Sequence, residues 1–168
     1  MKFPKAFNKE GVRVVIETPY KSRNKYKYDE ETGMFKLHKI LPSGLEFPCD
    51  MGFIPHTKGE DGDPLDALVF GAGSAFPGCL IECRLIGVIK AIQIEKNGEE
   101  FRNDRFIMVP LIMRESDDIK SVNEINKNKM DAIIKFFQNY NEQEERKFKL
   151  LEIGSSRTAE SIIKKHKV

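Results

Sequence analysis

The chain has no tryptophan, only three cysteines among its 168 residues, and no apolar run that approaches the length needed to span a bilayer. An odd number of thiols, two of them (Cys79 and Cys83) inside an apolar strand-like stretch, points to reduced cysteines packed as small hydrophobes. Structural zinc is set aside because no second Cys or His pair with metal spacing accompanies them. Net charge is nearly missing as well: 28 basic and 26 acidic residues leave +2. No global field draws such a chain to nucleic acid or to a membrane, so any charge-based function must be local. The opening Met1-Lys2-Phe3-Pro4-Lys5-Ala6 lacks the apolar segment and small-residue cleavage site of a secretion signal, and a cytoplasmic protein is expected.

What is present is 40% apolar residues over a length typical of one domain, so residues 1–168 read as a single unit with a substantial core. Val12, Val14, Val15 and Ile16 predict a strand that ends on Glu17 before Pro19. Lys25 to Asp29 and Met34 to Ile40, separated by Glu31-Thr32-Gly33, predict a hairpin with Lys25, Lys27 and Asp29 on one face. Prolines at 48 and 55 predict an irregular stretch around Phe47 to Pro55. Apolar runs over Leu65–Phe70, Leu80–Glu95 and Phe106–Val109 predict further strands, probed by turn signals such as Asn97-Gly98. Met130, Ile133, Ile134, Phe137 and Tyr140 fall at helical spacing, and a second helix is expected from about Thr158 to Lys165. Strands followed by helices predict an α+β, mostly β fold.

The chemistry concentrates in Asp61-Gly62-Asp63-Pro64-Leu65-Asp66. Carboxylates so close on a stiff Gly/Pro turn repel one another unless a cation lies among them, and an oxygen-preferring divalent ion is the natural occupant. An EF-hand is excluded, because position six of the loop would be Asp66 instead of Gly and position twelve Ala72 instead of Glu. Taken alone, the run suits a solvated turn before a strand about equally well.

Its company decides. The chain resembles the family I soluble inorganic pyrophosphatases, whose signature Asp-x-Asp-Pro-x-Asp is matched at Asp61, Asp63, Pro64 and Asp66. Val14-Val15-Ile16-Glu17-Thr18-Pro19, Lys25-Tyr26 and Phe47-Pro48-Cys49-Asp50 precede it in family order, and Cys83 to Val88, Val109-Pro110, Ile119 to Ile125 and Phe136 to Tyr140 follow it. The resemblance implies a five-stranded OB-type barrel with two C-terminal helices packed outside, and hydrolysis of pyrophosphate with Mg²⁺, or Mn²⁺ in its place. It further implies Glu17, Asp61 and Asp66 as metal ligands, with Glu95 where the family usually has an aspartate. Asp63 resembles the carboxylate that helps deprotonate the attacking water. Lys25, Lys39, Arg105, Tyr140 and Lys147 resemble substrate-binding groups, and a homo-oligomer, often a hexamer in bacteria, is implied as well.

Departures cluster in the same region. Lys27 stands where the family has a glutamate, and Asp29 offers itself as its partner or replacement. Lys39 replaces an arginine, Phe47 and Met51 replace tyrosines, and Asn141 replaces a lysine. Anchoring on Val109-Pro110 puts Asn103 at a ligand aspartate's position; a one-residue shift presents Asp104 instead, and Asp104 is taken as the ligand. The rival reading is a family fold with lost or altered activity that binds phosphate or hydrolyses another phosphoanhydride. A single-strand-binding barrel is disfavoured, because outside Lys21 to Tyr28 no segment interleaves basic and aromatic residues. A P-loop is excluded by its missing motif.

Overall fold

Residues 3–71, 73–113 and 119–168 are described by the structure, a computed structural model; Met1, Lys2 and Ala72, which entered the sequence reading, lie outside them. The strands are β1 (Val12–Thr18), β2 (Asn24–Asp29), β3 (Met34–Ile40), β4 (Asp50–Phe53), β5 (Asp66–Val69), β6 (Leu80–Ile94), β7 (Glu100–Arg102), β8 (Arg105–Pro110) and β9 (Lys147–Ser155). Among the described residues there are two α-helices, α1 (Lys127–Glu142) and α2 (Ser156–Lys165), and a short 3-10 helix at Val122–Glu124.

Hydrogen bonds join the strands in the order β1-β4-β5-β8-β6, and β6 pairs again with β1, so these five close into a ring. The β5–β8 pairing is parallel and the others in the ring are antiparallel. β6 is 15 residues long, and its far half leaves the ring to pair with β9 and β7. β2 and β3 form a separate hairpin.

Alternation along the strands feeds two apolar clusters, one on each side. Ala67, Val69, Phe106 and Met108 join Val14, Ile16 and Val88, closed over by Ala159 and Ile163 of α2. Leu68, Ile107 and Val109 point the other way and pack with Ile86, Ile89 and the α1 residues Met130, Ile133, Phe136 and Phe137. Neighbouring residues of β5 and β8 are therefore buried on both faces, which is why those segments read as continuous apolar runs. Each large side chain so enclosed contributes roughly 1.5–3 kcal/mol of transfer free energy. The helices start on side-chain caps: Asn126 accepts from the Asn128 N–H, and Ser155 from the Thr158 N–H. The Ser155 cap lets α2 begin two residues before the expected Thr158.

Three elements depart from expectation. The stretch expected to be irregular contains β4, held between its prolines by Gly52, where a Cβ would lie 2.0 Å from the Val15 carbonyl oxygen. Only glycine lets β1 and β4 approach so closely. β7 and β9 also form; most β9 residues are exposed, Leu151 and Ile153 among them, with only Phe148 and Gly154 buried, so pairing with β6 supplies the order that its side chains do not advertise.

Candidate active site

The far end of β1, the hairpin, the β4–β5 loop, the far end of β6, the start of β8 and the last turns of α1 surround one cavity of about 370 Å³. Its acidic wall is built by local hydrogen bonding. Buried Thr57 donates to the Ile54 carbonyl at 2.6 Å and accepts from the Leu65 N–H at 3.0 Å, pinning both ends of the acidic loop. Inside it, Gly59 N–H donates to the Asp63 carbonyl at 2.7 Å, and the Asp63 N–H to Asp61 Oδ1 at 3.1 Å. The turn passes through Gly62 at φ +87°, a conformation that side chains oppose.

The hairpin is fastened to β1 by the Tyr26 N–H donating to Thr18 Oγ1 at 3.1 Å and the Tyr28 N–H donating to Glu17 Oε1 at 2.7 Å. Buried Asp50 accepts from the Tyr20 N–H at 2.6 Å and the Ala75 N–H at 3.1 Å, which steadies the connection leading to β2. These ties bring Lys25 and Lys27 over the cavity. Lys27 Nζ donates to Asp63 Oδ2 at 2.5 Å. Burial opposes the Lys27 charge, but the Asp63 bond and the nearby Glu17 and Asp66 outweigh it and raise its pKa.

Glu17, Asp61 and Asp66 face the same space. Burial, with Asp66 adding to it against the Tyr28 bond, pushes the Glu17 carboxyl up to about 7. Burial likewise raises Asp61, opposed by the Asp63 N–H and reinforced by Asp66 and Asp63. Among the described residues the ion-pair partner of Asp66 is Arg105, with Nη2 at 4.0 Å. Among the described residues no three acidic, His or Cys side chains are gathered tightly enough to enclose a metal. The donor set still fits a divalent cation of the Mg²⁺ type: hard oxygens, with Glu17 and Asp61 carrying charge that burial penalises and no ion pair among the described residues relieves.

The opposite wall is cationic and braced. Lys25 Nζ donates to the Tyr140 hydroxyl at 2.9 Å. Buried Arg105 lies over the rings of Phe137 and Phe148, at 4.3 and 5.0 Å from their centroids, and donates from Nη1 to the Asn103 carbonyl at 2.6 Å. Its Nε has no partner among the described residues. Burial lowers the Arg105 pKa, with Asp66 and Asp61 pulling the other way. Lys39 stands at the rim, paired with Glu144 and 5.3 Å from the centre of the Tyr140 ring. Glu95 faces the cavity but is held by Arg146 Nε at 2.7 Å and by Gln93 Nε2 at 2.6 Å.

Two expected positions are corrected. Asp104 does not face this cavity: Oδ1 accepts from the Ala91 N–H at 3.0 Å, and the carboxylate takes a forked bond from Arg102, inside a second groove beneath α2. Asn103 faces the cavity instead, with Nδ2 3.1 Å from Gln93 Oε1 and 3.5 Å from Asp61 Oδ2. Lys147 is exposed and outside the lining, while Arg146 lines it. Strand alternation carried the signal, since Arg146 shares a face with buried Phe148 and Lys147 does not. Asp29 does not meet Lys27; it pairs with Lys36 and accepts from the Thr32 hydroxyl at 2.8 Å. Asn141 is buried, donating to the Phe137 carbonyl at 2.8 Å within α1. Gln93, His38 and Arg146 line the cavity without having been singled out.

The profile of the family described as inorganic pyrophosphatase matches residues 14–167. The chain belongs to that family. It is 37% identical to the inorganic pyrophosphatase of Halalkalibacterium halodurans over 159 residues, covering 95% of this chain and 93% of that one. With the enzyme of Streptomyces coelicolor the identity is 39% over 131 residues, 78% and 77% of the two chains. The fold superposes on an inorganic pyrophosphatase structure from Thermus thermophilus with a TM-score of 0.85 at 30% identity, covering 97% and 93%.

Proposed function

We propose that this chain is a metal-dependent inorganic diphosphatase that hydrolyses pyrophosphate to two phosphates, with Mg²⁺, or Mn²⁺ in its place, as the metal. The observation that carries this reading is the division of one cavity into a wall of carboxylates lacking strong ion pairs, Glu17, Asp61 and Asp66, and a wall of braced cations, Lys25, Arg105 and Arg146. A divalent cation held on the acidic wall would offset pyrophosphate charge and lower the pKa of a water there.

The chain's own groups do the rest. Asp63, on the same loop, accepts the proton of the attacking water. Arg105 offers its guanidinium and Lys25 its ammonium to the departing phosphate, where negative charge grows as the bond breaks. Packing against the rings of Phe137 and Phe148 holds the Arg105 guanidinium in place, so little reorganisation is needed. Tyr140, hydrogen-bonded to Lys25, orients that ammonium and presents its hydroxyl to the same oxygens. Lys39 steadies Glu144 at the rim.

A second reading, a family fold with weakened turnover that holds phosphate or acts on another phosphoanhydride, is favoured by one observation: Lys27 already occupies an oxygen of Asp63. Phosphate release from pyrophosphate, measured with Mg²⁺ and with chelator, separates the two. The first reading expects metal-dependent release that Asp63→Asn reduces strongly; no release, with phosphate still bound, establishes the second. Exposed Met34, Leu37, Ile40, Phe76 and Leu80 support a homo-oligomer, for which a hexamer is proposed. No described helix is long and apolar enough to cross a membrane, and small net charge gives nucleic acid no purchase; a cytoplasmic location is proposed.

A further inference from the structure

Charge bookkeeping in the cavity leads to Lys27. The lining holds six carboxylates, Glu17, Asp61, Asp63, Asp66, Glu95 and Glu144, against four cations, Lys25, Lys27, Arg105 and Arg146. Arg146 takes Glu95, Lys39 reaches Glu144 from the rim, and Lys27 takes Asp63. The neighbouring wall contributes neutral amides, Gln93 and Asn103, bonded to each other. What remains without a close cation is Glu17, Asp61 and Asp66.

The Lys27–Asp63 pair has little to do with stability. Its side chains are 39% and 56% exposed, and ion pairs of that kind contribute about 0–1 kcal/mol. Its effect is local: a positive charge sits on the oxygen of the acidic loop that would otherwise turn towards a cation, and it stands beside the carboxylates that must receive one. A fixed ammonium a few ångströms from a divalent ion repels it strongly in a partly enclosed cavity.

We propose that Lys27 is a built-in stand-in for a divalent cation at Asp63, so that this chain takes up fewer or more weakly held metal ions than its cluster of carboxylates would otherwise bind. The inference rests on the metal-dependent reading above and deepens it. Lys27 is a positioning and charge-compensating residue, acting through Asp63, and the cation it replaces is of the Mg²⁺ or Mn²⁺ class.

Manganese titration of the full chain, followed by electron paramagnetic resonance and by calorimetry without substrate, tests this. Lys27→Met is expected to bind Mn²⁺ about tenfold more tightly or more. Lys27→Glu is expected to bind tighter still and to take up an additional ion, and Lys27→Arg to behave as wild type. Adding Asp63→Asn to Lys27→Met should abolish the gain, as coupled partners require. Circular dichroism verifies folding, and Lys27→Met keeps the test open if Lys27→Glu is poorly folded. Wild-type Mn²⁺ binding that neither Lys27→Met nor Lys27→Glu changes overturns the inference alone, leaving the metal-dependent reading in place. No Mn²⁺ binding by wild type or variants overturns both. Binding gained only by the Lys27 variants establishes the stand-in in its strongest form.

Discussion

The two walls of the cavity are built on opposite principles. On the acidic side, backbone turns place Asp61, Asp63 and Asp66, and the charge of Glu17 and Asp61 is left exposed to the cost of burial. On the cationic side every group arrives already braced: Arg105 by two rings and a carbonyl, Lys25 by Tyr140, Arg146 by Glu95. A wall meant to receive a mobile cation profits from unmet negative charge. A wall meant to meet a growing oxyanion profits from donors that need not move.

Asymmetry of this kind is broken most severely from the acidic side. Asp66→Asn removes a loop carboxylate whose ion-pair partner, Arg105, is 4.0 Å away, and should lower metal affinity and phosphate release by on the order of 10²-fold or more, a ligand counting for at least as much as its supports. The apo protein should not lose stability, because a repulsive charge has gone. A Mn²⁺ titration alongside the phosphate assay reads both effects. Activity within a few-fold of wild type would show that the acidic wall is not where the metal sits.

From the cationic side, Arg105→Met should lower kcat by about 10²-fold, the scale for loss of one preorganised donor. Mn²⁺ affinity without substrate should not fall, since that variant removes a positive charge from the neighbourhood of Asp66. Arg105→Lys should fall between, keeping charge without the planar fork that stacks on Phe137 and Phe148. Loss of metal affinity in Arg105→Met would mean that the walls are not separable.

The pH response sharpens the contrast at lower amplitude. Glu17 has its pKa raised from 4.5 to about 7 by burial, so the folded state holds a proton that the unfolded state has released between those values. Its contribution is fully present below pH 4.5 and is lost as pH rises through about 7, at most ~3 kcal/mol. Urea unfolding in chelator should therefore show stability falling across that window and a flatter profile for Glu17→Gln. Divalent metal, which selects the ionised carboxylate, should stabilise more at pH 8 than at pH 5. Equal profiles for wild type and Glu17→Gln would remove Glu17 from the acidic wall's charge deficit.

Legibility differed between these parts for physical reasons. The β1, β6 and β8 runs, the α1 stripe and the acidic turn declare themselves through periodicity and turn chemistry, and the structure has them within a residue or two of where they were expected. β9 was hidden because its partner β6, not its own side chains, orders it. Lys147 was singled out by its resemblance to a family position beside an aromatic, although alternation against Phe148 favours Arg146. Asn103 and Asp104 are neighbours on one turn of chain, and which faces the cavity depends on Arg102 and the Ala91 N–H, neither visible in a motif. Asp63 kept its expected loop position, but its ion pair with Lys27 depends on the hairpin's fastening to β1.

Asp29 is the smallest test and it separates proximity in sequence from proximity in space. Strand period puts Asp29 on the face of Lys27, yet Lys36 across the hairpin and Thr32 in its turn hold the carboxylate, and it is absent from the cavity lining. Asp29→Ala should leave Mn²⁺ affinity and phosphate release within about twofold of wild type and stability nearly unchanged, as for other exposed pairs. A tenfold change in either metal affinity or turnover would mean that the hairpin swings to bring Asp29 onto Lys27, and that the acidic wall extends further along β2 than its lining indicates.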